Sequence, residues 1–360
     1  MLLVGALSLF YFMIGNKYKY GLIDMSYLLS RNVFACSRKG LGRFDAGDVI
    51  KMTLQTLNKL PRDFGVTVDK YILVRDTWAK EFNGYYRTYC LGGKYKDSRV
   101  YMTDEMVEEM RRDPSKTEDD IKKAEMDAYI NKVKREAKNG LIYELNKFGV
   151  PCVGVSGWEF DDLAWLASCM LYQDPSVTGS TPKSSVIITK DSDLQYSISP
   201  QMDYFRIPTG GSEPQIITYD EMCTQIPQRL KDRGISLYQY KSFMDSLGEG
   251  HNDMRVTKVS GVDPIVAIEH ILDGDYSDLS DYDTFVNQYN TFNVEKFPRI
   301  EEAKQIMTEQ LGRVGRLGSE GEFKTFCEKF GLKEDKYFNA ERFFSQFIHR
   351  FDEKLFSNED

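Results

Sequence analysis

Four short apolar runs constrain the fold most: Tyr20-Gly-Leu-Ile23, Tyr71-Ile-Leu-Val74, Cys152-Val-Gly-Val155 and Val186-Ile-Ile-Thr189. None of them alternates apolar with polar. A strand wetted on one face alternates, so continuous runs point to strands covered on both faces. Helical spacing fills the intervals between them. Ile50, Leu54 and Leu57 share one face behind Asp45, a candidate N-cap. Ile121, Ala124 and Ala128 begin a stripe that Val133, Ala137, Leu141 and Leu145 continue. Leu163, Leu166, Ala167 and Met170 mark a further helix directly after Asp161-Asp162. Strands alternating with helices imply an α/β fold, a mostly parallel central sheet with helices on both faces.

The stretch from Thr77 to Lys138 is too long for a simple crossover. It opens with aromatic and basic residues and continues as a charged helical run, which reads as an insertion over one end of the sheet. Residues 203–220 have the pattern of a β-hairpin around Gly210-Gly211, and from Ser236 onward the pattern is helical. A turn-rich interruption, Gly248-Glu-Gly-His-Asn-Asp253, breaks that helical region, as does Gly261. The six cysteines include no Cys-x-x-Cys pair and only three histidines occur, His251, His270 and His349. A structural zinc site and a His-rich metal centre are thereby excluded, and unpatterned cysteines point to a reducing, cytoplasmic setting. The net charge of −8 argues against a passive nucleic-acid coat, although a local basic groove is compatible with it. The apolar opening MLLVGALSLFYFMI is too short to span a bilayer and lacks a basic flank, so no membrane role is expected; Met13 is expected to be the true start.

Acidic residues follow each of the four runs. Asp24 follows Leu22-Ile23, Asp76 follows Leu73-Val74-Arg75, and Glu159, Asp161 and Asp162 follow Val153-Gly-Val155. Asp191 and Asp193 follow Ile187-Ile-Thr189. Ligands of open α/β sheets bind outside the carboxyl ends of the strands. Any one of these acids, taken singly, is more simply a turn residue or a helix N-cap. Capping does not call for acid at four successive strand ends. Clustered carboxylates repel unless cations lie between them, and all-oxygen donors select Mg²⁺ or Mn²⁺. Two such ions about 4 Å apart stabilise both oxygens of a phosphoryl transfer. Asp191 and Asp193, two apart, face the same way in extended backbone. Glu159 and Asp162 share a face once a helix has begun, so either Asp161 or Asp162 could be an N-cap rather than a ligand; Asp161 is expected as the ligand and Asp162 at the helix end. Residues 80–99 add Lys80, Arg87, Lys94, Lys96 and Arg99 against Glu81 and Asp97, with Tyr85, Tyr86, Tyr89 and Tyr95 interleaved. That composition suits stacking of unpaired bases beside phosphates.

Leu22-Ile-Asp24-Met-Ser26, Glu159-Phe-Asp161-Asp162 and Thr189-Lys-Asp191-Ser-Asp193 resemble the three best-marked acid motifs of the 5′-to-3′ exonuclease and flap endonuclease family, and are most similar to the T-even phage RNase H type. The likeness covers roughly residues 18–275. It implies a nuclease core over residues 13–225 with a helical arch at about 77–140, a helix–three-turn–helix over 226–275 that grips duplex DNA, and a C-terminal helical region over 276–360. It implies two Mg²⁺ ions, replaceable by Mn²⁺, held by Asp24, Asp76, Glu159, Asp161, Asp191 and Asp193. Tyr95-Lys96-Asp97-Ser98-Arg99 resembles the family's Tyr-Lys-x-x-Arg pattern, so Lys96 and Arg87 would contact the scissile phosphate. Tyr86, Tyr95, Arg99 and Lys258 would bind the rest of the substrate.

The last acid motif departs from the family's Gly-Asp-x-x-Asp-Asn. Here an ungapped match places Glu249 and Asn252 on the acids, and a one-residue shift restores Asp253 as ligand with Glu249 in support. The glycine-rich turn that follows is reduced to Val259-Ser-Gly261-Val262, where only Gly261 keeps the needed backbone freedom. The resemblance implies hydrolysis near the 5′ ends of RNA–DNA hybrids and of flap or duplex DNA, as in removal of RNA primers during phage replication in a host cytoplasm. Docking to a sliding clamp or a single-strand-binding protein follows from the analogy alone. Two other functions share parts of the pattern: a PIN-type ribonuclease, and a non-catalytic module that binds structured nucleic acid.

Overall fold

The computed structural model describes residues 16–82, 84–91, 101–148, 150, 152–172, 185–208, 213–249, 256–312, 319–333 and 338–347. Among the described residues there are six strands: β1 (Asn16–Asp24), β2 (Val66–Val74), β3 (Cys152–Val153), β4 (Ser185–Thr189), β5 (Met202–Arg206) and β6 (Gln215–Ile217). They form one sheet in the order β3-β2-β1-β4-β5-β6, mostly parallel. β4 runs parallel to β5 with Ile187 opposite Tyr204, and β5 pairs antiparallel with β6 with Phe205 opposite Ile216. The hairpin expected over 203–220 is therefore formed, while its Gly210-Gly211 turn lies outside the described residues. All four apolar runs fall in or beside strands. Every residue of β4 is buried, as are Leu22, Ile23 and Tyr71 to Val74.

The helices in chain order are α1 (Met25–Ser37), α2 (Ala46–Phe64), α3 (Tyr86–Cys90), α4 (Asp104–Arg112), α5 (Glu118–Lys147), α6 (Phe160–Tyr172) and α7 (Tyr219–Cys223). There follow α8 (Gln228–Lys231), α9 (Leu237–Ser246), α10 (Pro264–Leu272), α11 (Tyr282–Phe292), α12 (Ile300–Gly312), α13 (Glu320–Lys329) and α14 (Ala340–Phe347). A 3-10 turn spans Ser192–Ser197. Among the described residues no helix is long and apolar enough to cross a membrane.

Chain contacts divide the protein into two compact units. The first comprises Met1–Leu73, Arg99–Cys152 and Leu311–Asp352; the second comprises Val74–Ser98, Val153–Gln310 and Glu353–Asp360. The stretch 276–360 is thus shared between them.

In the first unit α1, α2 and α5 pack on one another. Local sequence explains their ends. Asp45 caps α2 in a reciprocal box with Asp48, and Gly65 ends the helix in the left-handed conformation. Thr117 and Asp120 form the same box at the start of α5. Of the insertion expected after Thr77, this unit holds α4, which folds back on α5 around Val107, Ala124 and Ala128. The α13–α14 segment closes this unit's core, with the Phe323 and Phe326 rings 5.2 and 5.6 Å from that of Phe148.

In the second unit α9 packs on α11 through the stacked rings of Phe243 and Tyr289. The connection from α9 to α10 is tied down by buried Gln288. Its amide donates to the carbonyls of Ser246 and Thr257 at 2.6 and 3.1 Å and accepts from the Thr257 N–H at 2.9 Å. Gly248 has φ 82°, and a Cβ there would lie 2.7 Å from the Lys258 backbone, so only glycine permits this closure. Gly261 is different from the expectation. It is not among the residues with positive φ, and its N–H donates to the Asp278 carbonyl at 3.1 Å. The conformational freedom assigned to it from sequence is not used.

Candidate functional site

Helix α6 begins at Phe160, which places Asp161 and Asp162 in its first turn, where negative charge faces the positive end of the helix dipole. Asp162 closes the helix start: one carboxylate oxygen accepts from the Glu159 N–H at 3.1 Å. Its other oxygen accepts from Arg87 at 2.5 Å. Arg87 comes from α3, and its second terminal nitrogen lies 3.8 Å from Asp161. The two partners differ in exposure, at 1% for the Asp162 side chain and 33% for that of Asp161. Glu159 is buried as well, and Asp76 accepts from the Phe160 N–H at 2.8 Å. Burial pushes the Asp162 carboxyl up from its ordinary value, Arg87 pulls it down, and neighbouring Glu159 pushes it up again.

A backbone strap delivers Arg87. The Thr77 N–H donates to Trp158 O, the Gly157 N–H to Thr77 O and the Tyr86 N–H to Gly157 O, at 3.1, 2.8 and 2.8 Å. Gly157 has φ 82°, and a Cβ on it would meet the Phe82 ring at 2.5 Å. The strap therefore passes closer to residue 157 than any side chain allows. Beneath the guanidinium lies Phe292, with its ring centre 5.9 Å away.

Asp191 caps the 3-10 turn after β4, accepting from the Asp193 N–H at 3.2 Å. Asp193 belongs to that turn. The extended spacing that would aim both acids the same way is not present, because the chain coils immediately after Asp191. Asp193 and Asp161 nevertheless line one small pocket with Arg87, Tyr196, Lys241 and Asp245. Lys241 and Asp245 of α9 were not singled out from sequence. They form an ion pair at 2.5 Å with side chains 13% and 8% exposed, and the ammonium lies 5.7 Å from the Tyr196 ring centre. Their four-residue spacing on a predicted helix was the available signal. Nothing local shows that this face is buried.

Asp24, in the first unit, is buried and caps α1 by accepting from the Tyr27 N–H at 2.8 Å. In the second unit Glu249 pairs with Lys258 at 2.5 Å, so the cation expected on substrate phosphate has a carboxylate beside it. Tyr86 is half-buried against Phe82 and Phe297, and burial pushes its phenol up. Lys96, Tyr95, Arg99 and Asp253 lie outside the described residues.

The expected ligands are all carboxylates, the donor chemistry that a hard divalent cation takes. Donor type therefore fits Mg²⁺ or Mn²⁺. Among the described residues, no group of three or more His, Cys, Asp or Glu side chains is assembled to hold a metal ion. Of the expected ligands, Asp24, Asp76 and Asp191 each accept from a backbone N–H, and Asp161 lies 3.8 Å from Arg87.

No protein-family profile and no curated protein sequence matches the chain. Solved structures similar to it include T5 5′-exonuclease with bound zinc, at 14% identity and TM-score 0.44, covering 88% of this chain and 97% of that one. A bacteriophage T5 flap endonuclease in a pseudo-enzyme–product complex with DNA and metal ions matches at 16% identity and TM-score 0.43, covering 88% and 96%. The catalytic core of Rad2 in complex with DNA substrate matches at 14% identity and TM-score 0.37, covering 92% of each chain.

Proposed function

We propose that this protein is a divalent-metal-dependent 5′ nuclease that hydrolyses phosphodiester bonds near the 5′ ends of flap DNA, duplex DNA and RNA–DNA hybrids. The observation that carries the reading is one pocket lined by Asp161 of the Glu-x-Asp-Asp motif, Asp193 of the Asp-x-Asp motif and Arg87. Two acid motifs and a buried guanidinium meet there, from three separate parts of the sequence.

Asp161 and Asp193, with Asp76, Glu159 and Asp191, are the residues that would hold the metal, and the sequence motifs assign Asp24 and Asp253 to the same set. When bound, the ions supply a water of lowered pKa and neutralise charge on the leaving oxygen. The chain's own residues do the rest. Asp162 holds Arg87 in one orientation, so the guanidinium meets a phosphate without first being ordered. There it stabilises the added charge of the transition state. Lys96 is assigned to the same task from its motif, and Tyr86 to stacking beside the phosphate. No covalent nucleophile is required, consistent with a chain of only three histidines.

A 5′-labelled flap and an RNA–DNA hybrid, each incubated with Mg²⁺ or with EDTA, provide the test. Short 5′ products that appear only with Mg²⁺ are expected. Asp161→Asn should reduce cleavage by roughly 100-fold or more and leave DNA binding intact or tighter. Binding without cleavage by the wild type would select the non-catalytic module instead.

A further inference from the structure

A second cavity, of about 410 Å³, lies in the second unit between the strap and the start of α12. Its lining includes Phe82, Tyr86, Tyr89 and Trp158, with Glu81, Arg299 and Glu302 at polar positions. Phe82 lies 5.6 Å from both Tyr86 and Tyr89, and Tyr89 is 63% exposed, so an open aromatic face is available to a flat partner. Trp158 is buried behind it and packs on Phe297 at 5.3 Å.

Arg299 is the one non-glycine residue with positive φ (65°) among the described residues. Strained backbone of this kind persists where the surroundings demand a side chain in one place. The demand here is not a strong ion pair. Arg299 lies 3.5 Å from Glu81 and 3.8 Å from Glu302, and all three side chains are more than half exposed. Pairs so long and so wet hold a side chain weakly.

We infer that this cavity receives a single unpaired nucleotide, its base stacked on Tyr89 and Phe82 and its phosphate met by Arg299. Stacking accepts any base, because every base has a π-face. Arg299 leaves its two carboxylates for a phosphate that accepts two N–H bonds in parallel. Glu81 and Glu302 then face the N–H donors on the edge of the base. A cationic peptide is the weaker fit, because it would engage the two acids and leave the open Phe82–Tyr89 face without a flat partner. The inference rests on the nuclease reading and adds to it a position for the unpaired strand.

The probe is a short single-stranded oligonucleotide carrying one 2-aminopurine, titrated in EDTA so that nothing is cleaved. Wild type should quench the fluorescence on binding. Tyr89→Ala should abolish the quench and weaken binding roughly tenfold, and Tyr89→Phe should restore both. Arg299→Gly should raise the thermal midpoint, by relieving the strain, and weaken binding severalfold. In Mg²⁺ both weakened variants should show a lower ratio of flap to blunt-end cleavage. Unchanged quenching in Tyr89→Ala, or wild-type affinity in Arg299→Gly, overturns the proposal. So does displacement of the probe by a Lys/Arg-rich peptide that binds more tightly than any oligonucleotide. Absence of any Mg²⁺-dependent cleavage by wild type would sink the nuclease reading, and the quench in EDTA would still decide the cavity.

Discussion

Arg87 carries two duties at one site, holding the charge of buried Asp162 and lying within reach of Asp161. Removing one partner of a buried pair is far costlier than the pair is worth, because the other charge is stranded. Arg87→Met should therefore lose about 3–5 kcal/mol of stability, measured by urea unfolding, and Arg87→Met/Asp162→Asn should recover part of it. The pH dependence has a definite sign. A carboxyl raised by burial binds its proton more tightly folded than unfolded. Its contribution to stability is greatest at low pH and is lost as the pH rises through its folded value. Relative to the double variant, Arg87→Met should lose thermal stability as the pH is raised from about 4 towards 7; a gain would refute the assignment. At this scale the sequence marks the acids that follow the apolar runs and is silent about their hydrogen bonds. Asp24, Asp76 and Asp191 were expected as ligands, and each also accepts from a backbone N–H. Spacing places such residues but does not say which oxygen meets which donor. Lys241 and Asp245 escaped notice because their burial comes from packing of α9 on the 3-10 turn, a contact between segments distant in the chain.

Helix ends were the most legible elements. Asp45 was expected to cap α2 and does so, and the stripe from Ile121 to Leu145 lies along α5. Thr117→Ala should cost about 1 kcal/mol in urea unfolding, since it removes half of the box that starts α5. A change below a few tenths would mean that packing alone holds this end. The third apolar run was expected to continue to Val155, yet β3 ends at Val153. The Gln310 amide takes the sheet's place, donating to Gly154 O and accepting from its N–H, both at 2.9 Å. No pattern near residue 154 reveals a glutamine so far along the chain. The strap was illegible for a similar reason. Gly157→Ala should destabilise the protein by about 2 kcal/mol or more, because it adds both a clash with Phe82 and a left-handed side chain. Shrinking the ring in Gly157→Ala/Phe82→Leu should restore part of the thermal midpoint. No restoration would place the whole cost in the backbone.

Over the whole molecule, the mostly parallel sheet and its alternation with helices follow from the apolar runs, but the order of the strands and the division into units do not. A contiguous reading separates residues 276–360 as a region of their own. The observed units instead interleave, and α13 and α14 belong with the first. Composition varies too little along the chain to mark such returns. Phe148 and Phe323 are both buried and meet across this gap in sequence. A chain ending at residue 312 should lose about 3 kcal/mol or more of stability through that exposed ring cluster. Its proteolytic cuts should map to the first unit, and a thermal midpoint equal to wild type would show that α13 and α14 are dispensable. The interleaving also has a temporal side. A ribosome releases the chain from its N-terminus, so the described residues of the second unit are complete once Gln310 has emerged, while the first unit still awaits Ser319 to Phe347. The unit that begins first is finished last, by a lag on the order of seconds at ordinary synthesis rates. During that interval Phe148 waits without its ring partners, and a chaperone that grips aromatic side chains would find it there.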